Sequence, residues 1–387
     1  MAQTKRDFLK GVLSIGCCAA ASPLLTPVTV AAAPGENRLV VIILRGAMDG
    51  LGVAAPYGDP DYAALRPKIG RDPEGGLIDM DGRFGMHPKL APLAPLWQAG
   101  EVSFAHAVST PYRDKRSHFD GQDILEAGTA GIASADNGWI NRALSHMTGT
   151  SIDTAYSVGR ENMLITTGPN PARSWAPGAK LPLGEDERAL LQMIYAKDPL
   201  FAEAVAAAAD LSLTSGKRKA QGAKEAEVLA KYAAERLNEQ ARIAAFSIGG
   251  WDTHVAQPAA MNRPVIRLAS AITTLKDKLG GNWSRTLVVA MTEFGRTARE
   301  NGSKGTDHGT GGAALLAGGA LRGGRIYADW PGLGQNDLYK GRDLTPTEDV
   351  RHYPAWALHT LFGIEKSAIV RDVFPGLSMG ANRRFIA

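Results

Sequence analysis

The sequence predicts an α/β domain in three layers, a mostly parallel central sheet with helices on both faces. Leu39–Leu44 is an unbroken apolar, β-branched run, the pattern of a strand buried on both sides. Further apolar runs recur along the chain, separated by helical or loop-like segments, as parallel crossovers require. Several of these runs lead directly into loops that carry acids and imidazoles, which is where open α/β sheets place their sites.

Residues 1–33 read as a separate segment. Lys5, Arg6 and Lys10 precede an uncharged, mostly small and apolar stretch ending in Ala31-Ala32-Ala33, the pattern of a cleavable export signal. Pro23 and Pro27 interrupt that stretch and argue against a permanent membrane span. Thr4-Lys5-Arg6-Asp7-Phe8-Leu9-Lys10 resembles a twin-arginine (Tat) signal in which Lys5 replaces the first arginine. The expected partner is the Tat export machinery, with Sec export left open, and the expected location is periplasmic or secreted. Residues 34–387 then form a single domain. Of the 387 residues, 44% are hydrophobic, enough for a sizeable core. The formal net charge is +4 and no basic block is interleaved with aromatics, which argues against a nucleic-acid partner. The two cysteines, Cys17 and Cys18, both lie in the leader, so the domain has no thiolate ligand or nucleophile.

Within the domain, the first strand ends in Arg45-Gly46-Ala47-Met48-Asp49-Gly50. Val102–Val108 reads as a second strand, followed by a loop from Ser109 to Ser117 and a helix from about His118 to Glu126 stopped by Gly128. The Ala-, Glu-, Leu- and Lys-rich stretch from about Glu185 to Ala245 reads as two helices broken near Thr214-Ser215-Gly216. Ala244–Ile248 and Thr286–Met291 are further strands, running into Gly249-Gly250-Trp251-Asp252-Thr253-His254 and Thr292-Glu293-Phe294-Gly295-Arg296. A Gly-rich loop, Gly302–Gly312, holds Asp307-His308 and leads into the apolar run Ala313–Ala317.

The chemistry-bearing residues are therefore Asp49, Asp252, His254, Glu293, Asp307 and His308, each after an apolar strand or among glycines. Carboxylates mixed with imidazoles suit a divalent cation: zinc, calcium, magnesium or manganese. Acids converging at one sheet edge would repel each other, and a cation offsets that repulsion. Taken singly, each acid also fits a helix cap or a turn, and Glu293 could pair with Arg296 or Arg299. His87, His106, His146 and His359 read as structural, and His352 as a possible final ligand.

The order of Leu44-Arg45-Gly46…Asp49-Gly50, Arg116-Ser117-His118-Phe119…Gly128, Gly250-Trp251-Asp252-Thr253-His254, Thr292-Glu293-Phe294-Gly295-Arg296-Thr297 and Gly305-Thr306-Asp307-His308-Gly309 resembles the domain-of-unknown-function 1501 family. These are exported, often Tat-dependent proteins related to the alkaline phosphatase and sulfatase superfamily. The resemblance implies an alkaline phosphatase/sulfatase-like fold, with metal ligands after the first strand, after a middle strand as Asp…His, and after a late strand as Asp-His. Asp49 matches the first position, and Asp252 with His254 the second at shorter spacing. Glu293 matches the late acid, with Phe294 in the place of its histidine, and Asp307-His308 resembles the loop that follows in sulfatases. The resemblance puts a nucleophile at Ser117 beside His118, one residue further from Gly128 than usual, and Arg113 and Arg116 where an anionic ester would bind. Ser109-Thr110-Pro111-Tyr112-Arg113 matches the bare core of a sulfatase signature, but its serine lies too far upstream of Gly128.

Two functions compete on these grounds. One is an exported metal-dependent hydrolase of phosphate or sulfate esters, with a small anionic ester or glycan as substrate. The other is a non-catalytic exported binding protein that keeps the fold. The retained acids and histidines favour the first; the altered spacing at Ser117 and the presence of Phe294 favour the second.

Overall fold

The computed structural model describes residues 35–132, 136–161, 163–177 and 223–387. The proposed leader and the first of the two helices expected in the Ala/Glu-rich stretch lie outside the described residues. The second expected helix is present from Ala223 to Asn238, and the chain re-enters the sheet at Ile243.

Nine described strands form the central sheet. In chain order they are β1 (Arg38–Arg45), β2 (Val102–Ser109), β3 (Ala155–Val158), β4 (Arg173–Trp175), β5 (Ile243–Gly249), β6 (Thr286–Met291), β7 (Gly312–Ala317), β8 (Ile326–Tyr327) and β9 (Glu348–Asp349). Across the sheet the order is β8-β2-β7-β6-β1-β5-β3-β4, with β9 also pairing β2. β1 lies between β5 and β6, parallel to both, with Arg45 opposite Gly249 and Ile43 opposite Met291. Three sequence-predicted strands thus end at one edge, side by side.

Alternation along β1 shows why its run is continuously apolar. Leu39, Val41 and Ile43 enter one core with α2 (Trp139–Leu144) and α5 (His352–Phe362). Val40, Ile42 and Leu44 enter the other, with α3 (Ala223–Asn238) and α4 (Asn262–Leu279). Successive side chains point to opposite faces, so a strand covered twice has no polar face to show. The expected three layers follow. Among the described residues, no helix is long and apolar enough to cross a membrane.

β7 runs against its neighbours, antiparallel to both β6 and β2. The chain between Met291 and Gly312 contains turns but no helix. Without a crossover the chain stays at the edge where β6 ended, so it can only re-enter the sheet in the opposite direction. The same reversal leaves residues 292–311 folded over the carboxyl ends of β1, β5 and β6.

Below that edge, His106 of β2 is fully buried. Its Nε2 faces the carbonyls of Gly50 at 3.2 Å and Ala54 at 3.0 Å, and its Nδ1 accepts the Ala107 N–H at 2.9 Å. The neutral ring satisfies both contacts, and burial pulls its pKa down to about 4. The unfolded chain takes up this proton near its ordinary value of about 6.5 and the folded chain does not. His106 therefore supports full stability above about pH 6.5, and that contribution is lost as pH falls toward 4, about 3 kcal/mol in all. Urea denaturation at pH 7 and pH 4.5 should show this slope, and His106→Gln should reduce it, leaving the share of His87, whose pKa burial also pulls down to about 4.

Candidate metal centre

The site assembles at the sheet edge from the start of one helix and the loops that follow β5 and β6. α1 (His118–Ala127) begins beside it, with Ser117 as N-cap and the left-handed Gly128 (φ 69°) as C-cap, as its sequence indicates. The first residue of α1, His118, points its ring over Phe294, stacked at 5.2 Å and 22°. The loops after β5 and β6 bring Asp252, His254 and Glu293, and the Gly-rich loop brings Asp307 and His308. Close approach of these loops needs glycine. A Cβ on Gly295 would lie 1.8 Å from the Gly311 carbonyl oxygen, and one on Gly46 (φ +113°) would lie 2.6 Å from the Asp252 nitrogen.

Three imidazoles converge on one carboxylate oxygen. Asp252 Oδ1 lies 3.0 Å from His254 Nε2, 3.4 Å from His308 Nε2 and 3.5 Å from His118 Nε2. His254 Nε2 and His308 Nε2 are 2.9 Å apart. His118, Asp252 and His308 each offer a ligand atom within 4.8 Å of the others.

The outer nitrogen of every ring meets an acceptor. His118 Nδ1 donates to Glu293 Oε1 at 2.8 Å, His254 Nδ1 to Asp307 Oδ1 at 3.2 Å, and His308 Nδ1 to the Arg116 carbonyl at 2.9 Å. A neutral imidazole that donates from Nδ1 has only a lone pair at Nε2. Three lone pairs thus face each other and a carboxylate; Arg296 Nη1 reaches that of His254 at 3.3 Å, and those of His118 and His308 call for a shared cation or extra protons. His118 Nε2 is moreover buried without a hydrogen-bond partner. Imidazoles held by carboxylates and carbonyls through their far nitrogens are the usual support of metal ligands, so the residues fit a metal.

Glu293 is part of that support. It is fully buried, and besides His118 its Oε1 accepts the N–H groups of Gly46 at 2.9 Å, Ala47 at 3.0 Å and the Gln122 amide at 3.2 Å. Burial alone would raise its pKa, but hydrogen bonds from His118, the backbone, Thr292 and Gln122 outweigh that and hold the carboxyl below its usual range. It pairs with neither Arg296 nor Arg299. Arg296, itself buried, donates to Asp252 Oδ1 at 2.5 Å and to the carbonyls of Gly46, Ala47, Trp251 and Thr306. Burial opposes ionisation of Asp252, yet Arg296 and then the histidines keep its pKa lowered. His118 is shifted upward, first by its bond to Glu293, whereas burial shifts His308 downward.

The structure separates several expected residues from this cluster. Asp49 is buried with both oxygens taken: Arg66 meets Oδ2 at 2.5 Å and Oδ1 at 2.9 Å, and Gln257 donates to Oδ2 at 2.6 Å. An acid saturated by a guanidinium and an amide has no lone pair directed at the histidines. His352 lies near Glu348 and the Ala381 carbonyl. Arg113 turns back onto its own loop, donating to Ser109 Oγ at 3.1 Å and to the carbonyls of Thr110 and Tyr112. The Arg116 side chain is 42% exposed and 3.9 Å from Asp343, while its carbonyl orients His308. Ser117 Oγ accepts the Asp120 N–H at 3.4 Å, a long capping bond.

Two residues outside the expected set matter here. Gln257 Oε1 accepts the hydroxyls of Thr253 at 2.9 Å and Thr306 at 2.7 Å, tying the Asp252–His254 loop to the Asp307–His308 loop. Its amide and Arg66 together anchor both loops to Asp49. No spacing rule marks either residue, because the contacts that tie the loops together, Gln257 to Asp49 and Thr306 and Arg66 to Thr297 and Ala298, join segments far apart in sequence.

No curated protein matches the sequence. Among solved structures, the chain resembles Ps i-CgsB in complex with k-i-k-neocarrahexaose, at 12% identity and TM-score 0.41, covering 86% of this chain and 73% of that one. It also resembles a protein in the alkaline phosphatase superfamily from Vibrio parahaemolyticus, at 13% identity and TM-score 0.38, covering 90% and 72%. A third is the C-terminal periplasmic domain of EcEptC from Escherichia coli in complex with Zn, at 10% identity and TM-score 0.41, covering 92% and 94%. Likeness this remote transfers neither activity nor residue roles. In sequence, the model of the family described as "Protein of unknown function (DUF1501)" matches residues 98–373, well over half of the chain, and the protein belongs to that family.

Proposed function

We propose that this protein is an exported, single-metal hydrolase of a phosphate or sulfate ester. The observation that carries the reading is the convergence of three Nε2 atoms on Asp252 Oδ1 with every Nδ1 held from outside. His118, His254, His308 and Asp252 would hold the cation. A nitrogen-rich donor set of this kind favours zinc over manganese, calcium and magnesium. Such a cation supplies a Lewis acid for an ester oxygen and lowers the pKa of a water. Charge supports one ion per chain, because Asp49 already has Arg66, and Asp252 shares its oxygen with Arg296.

The protein's own groups then divide the work. Glu293, Asp307 and the Arg116 carbonyl fix ring orientation, and Arg296 fixes Asp252. Ser117 is the proposed nucleophile: its hydroxyl oxygen faces one backbone N–H at the start of α1, beside His118 of the cluster. The half-exposed Arg116 is the proposed anion contact. The binding-protein reading draws on the inward-turned Arg113 and the capping geometry of Ser117.

Metal analysis and turnover of aryl phosphates and sulfates test these together. About one equivalent of metal is expected, with loss of most of it and of turnover in His308→Ala and Asp252→Asn. Ser117→Ala should abolish turnover and leave metal content unchanged; retained turnover would remove the serine from the mechanism. Metal without turnover on either ester class would favour the binding protein. The absence of metal from the wild-type chain would overturn the centre.

A further inference from the structure

A cavity of about 290 Å³ with a mixed polar and apolar wall lies beside the histidine cluster, lined by residues of the 297–307 loop and of 335–342. One imidazole separates the two. Asp307, in the cavity wall, meets Nδ1 of His254, whose Nε2 faces Asp252. Arg342, also in the wall, donates through Nη1 to the His308 carbonyl at 2.9 Å and to Asp343 at 2.7 Å. A group seated there would lie a ring's length from the cluster.

The cavity's acids are largely committed. Glu300 Oε2 accepts the N–H groups of Lys68 and Ile69, each at 2.9 Å. Asp307 Oδ1 also accepts the Asn301 amide at 3.1 Å, and that bond, ahead of the one from His254, holds its pKa low. Of the cavity's two guanidinium groups, Arg342 is ion-paired to Asp343 and Arg299 is not so committed. Arg299 is exposed and has no ion pair among the described residues, and among those residues Arg342 engages its neighbours through Nη1, leaving Nη2 and Nε for other groups. Leu65 and Leu338 add apolar wall. Forked donors with an apolar side suit an oxyanion carried on a ring, and the volume is near the lower end for organic ligands, about 300 Å³.

We infer that this cavity is a subsite for a second oxyanion on the substrate, borne by a ring-sized group next to the ester, as in an acidic sugar. The inference rests on the metal-centre reading above. Its test is titration of the metal-loaded protein with D-glucuronate, D-glucose as the neutral control, and metal content measured on the same samples. Saturable glucuronate binding is expected, at least tenfold weaker in Arg299→Glu and absent for glucose, with metal content equal in the two proteins. Arg299 is exposed, so its replacement leaves the fold intact. Equal binding of the two sugars, no binding of either, or indifference to Arg299→Glu overturns the subsite while leaving the centre standing. A chain without metal overturns the centre, and with it the assignment of this cavity to that centre's substrate.

Discussion

Replacing Arg66 with methionine should destabilise the protein by about 3–5 kcal/mol, because it leaves a carboxylate buried without its cation. Arg66 and Asp49 are each about 1% exposed at the side chain. Arg66 also donates to the carbonyls of Ala298 and Thr297, each at 2.9 Å, so its loss strips two further buried acceptors. Lysine at this position should be intermediate, since an ammonium cannot meet both carboxylate oxygens at once. The double variant Asp49→Asn/Arg66→Met should recover much of the loss, because no uncompensated charge remains. Urea unfolding of the wild type, the two Arg66 variants, Asp49→Asn and the double variant checks this. Additive losses in the double variant would mean that the pair is not coupled. Asp49 also holds Gln257, which ties both ligand loops, so Arg66→Met should weaken metal binding as well as the fold.

Glu293→Gln should behave differently: metal affinity down by about 10–100-fold with little loss of stability. The amide keeps an oxygen to accept from His118, Gly46 and Ala47. Its nitrogen can donate to Thr292 Oγ1, which in turn can donate to the Leu44 carbonyl at 2.8 Å. Shape and hydrogen bonding survive while the negative charge behind His118 disappears, so the ring becomes a poorer donor to a metal. Competition titration with a chelator, beside a thermal melt, separates the two effects. Unchanged affinity would show that Glu293 serves packing only. A melt lowered by many degrees would show that its charge is needed for folding.

Much of the fold was legible because it rests on local patterns. The run Leu39–Leu44 reads as a doubly covered strand and is one, and Ser117 and Gly128 bracket their helix by capping chemistry that acts within a few residues. The reversal of β7 was not legible: an apolar run has the same composition in either direction, and only the course of residues 292–311 sets it. The site divides along the same line. Asp252, His254 and His308 were expected from their residue types and loops, and they do meet. His118 was expected as a catalytic partner of Ser117, yet its Nε2 points into the same cluster. Asp49 was expected there too, and the structure gives it to Arg66, seventeen residues away along the chain.

By itself, then, the order of residues determined which segments are buried and which loops carry ionisable side chains, since hydrophobic periodicity and turn chemistry operate over short stretches of chain. Tertiary structure alone decided how those side chains are paired. Whether a buried acid faces a guanidinium, an amide or an imidazole depends on what the sheet's topology brings within about 3 Å, a matter of hydrogen-bond reach that sequence spacing does not encode. Asp49 and Asp252 follow similar strands and enter similar glycine-rich loops; one is saturated inside the core and the other stands where three imidazoles meet.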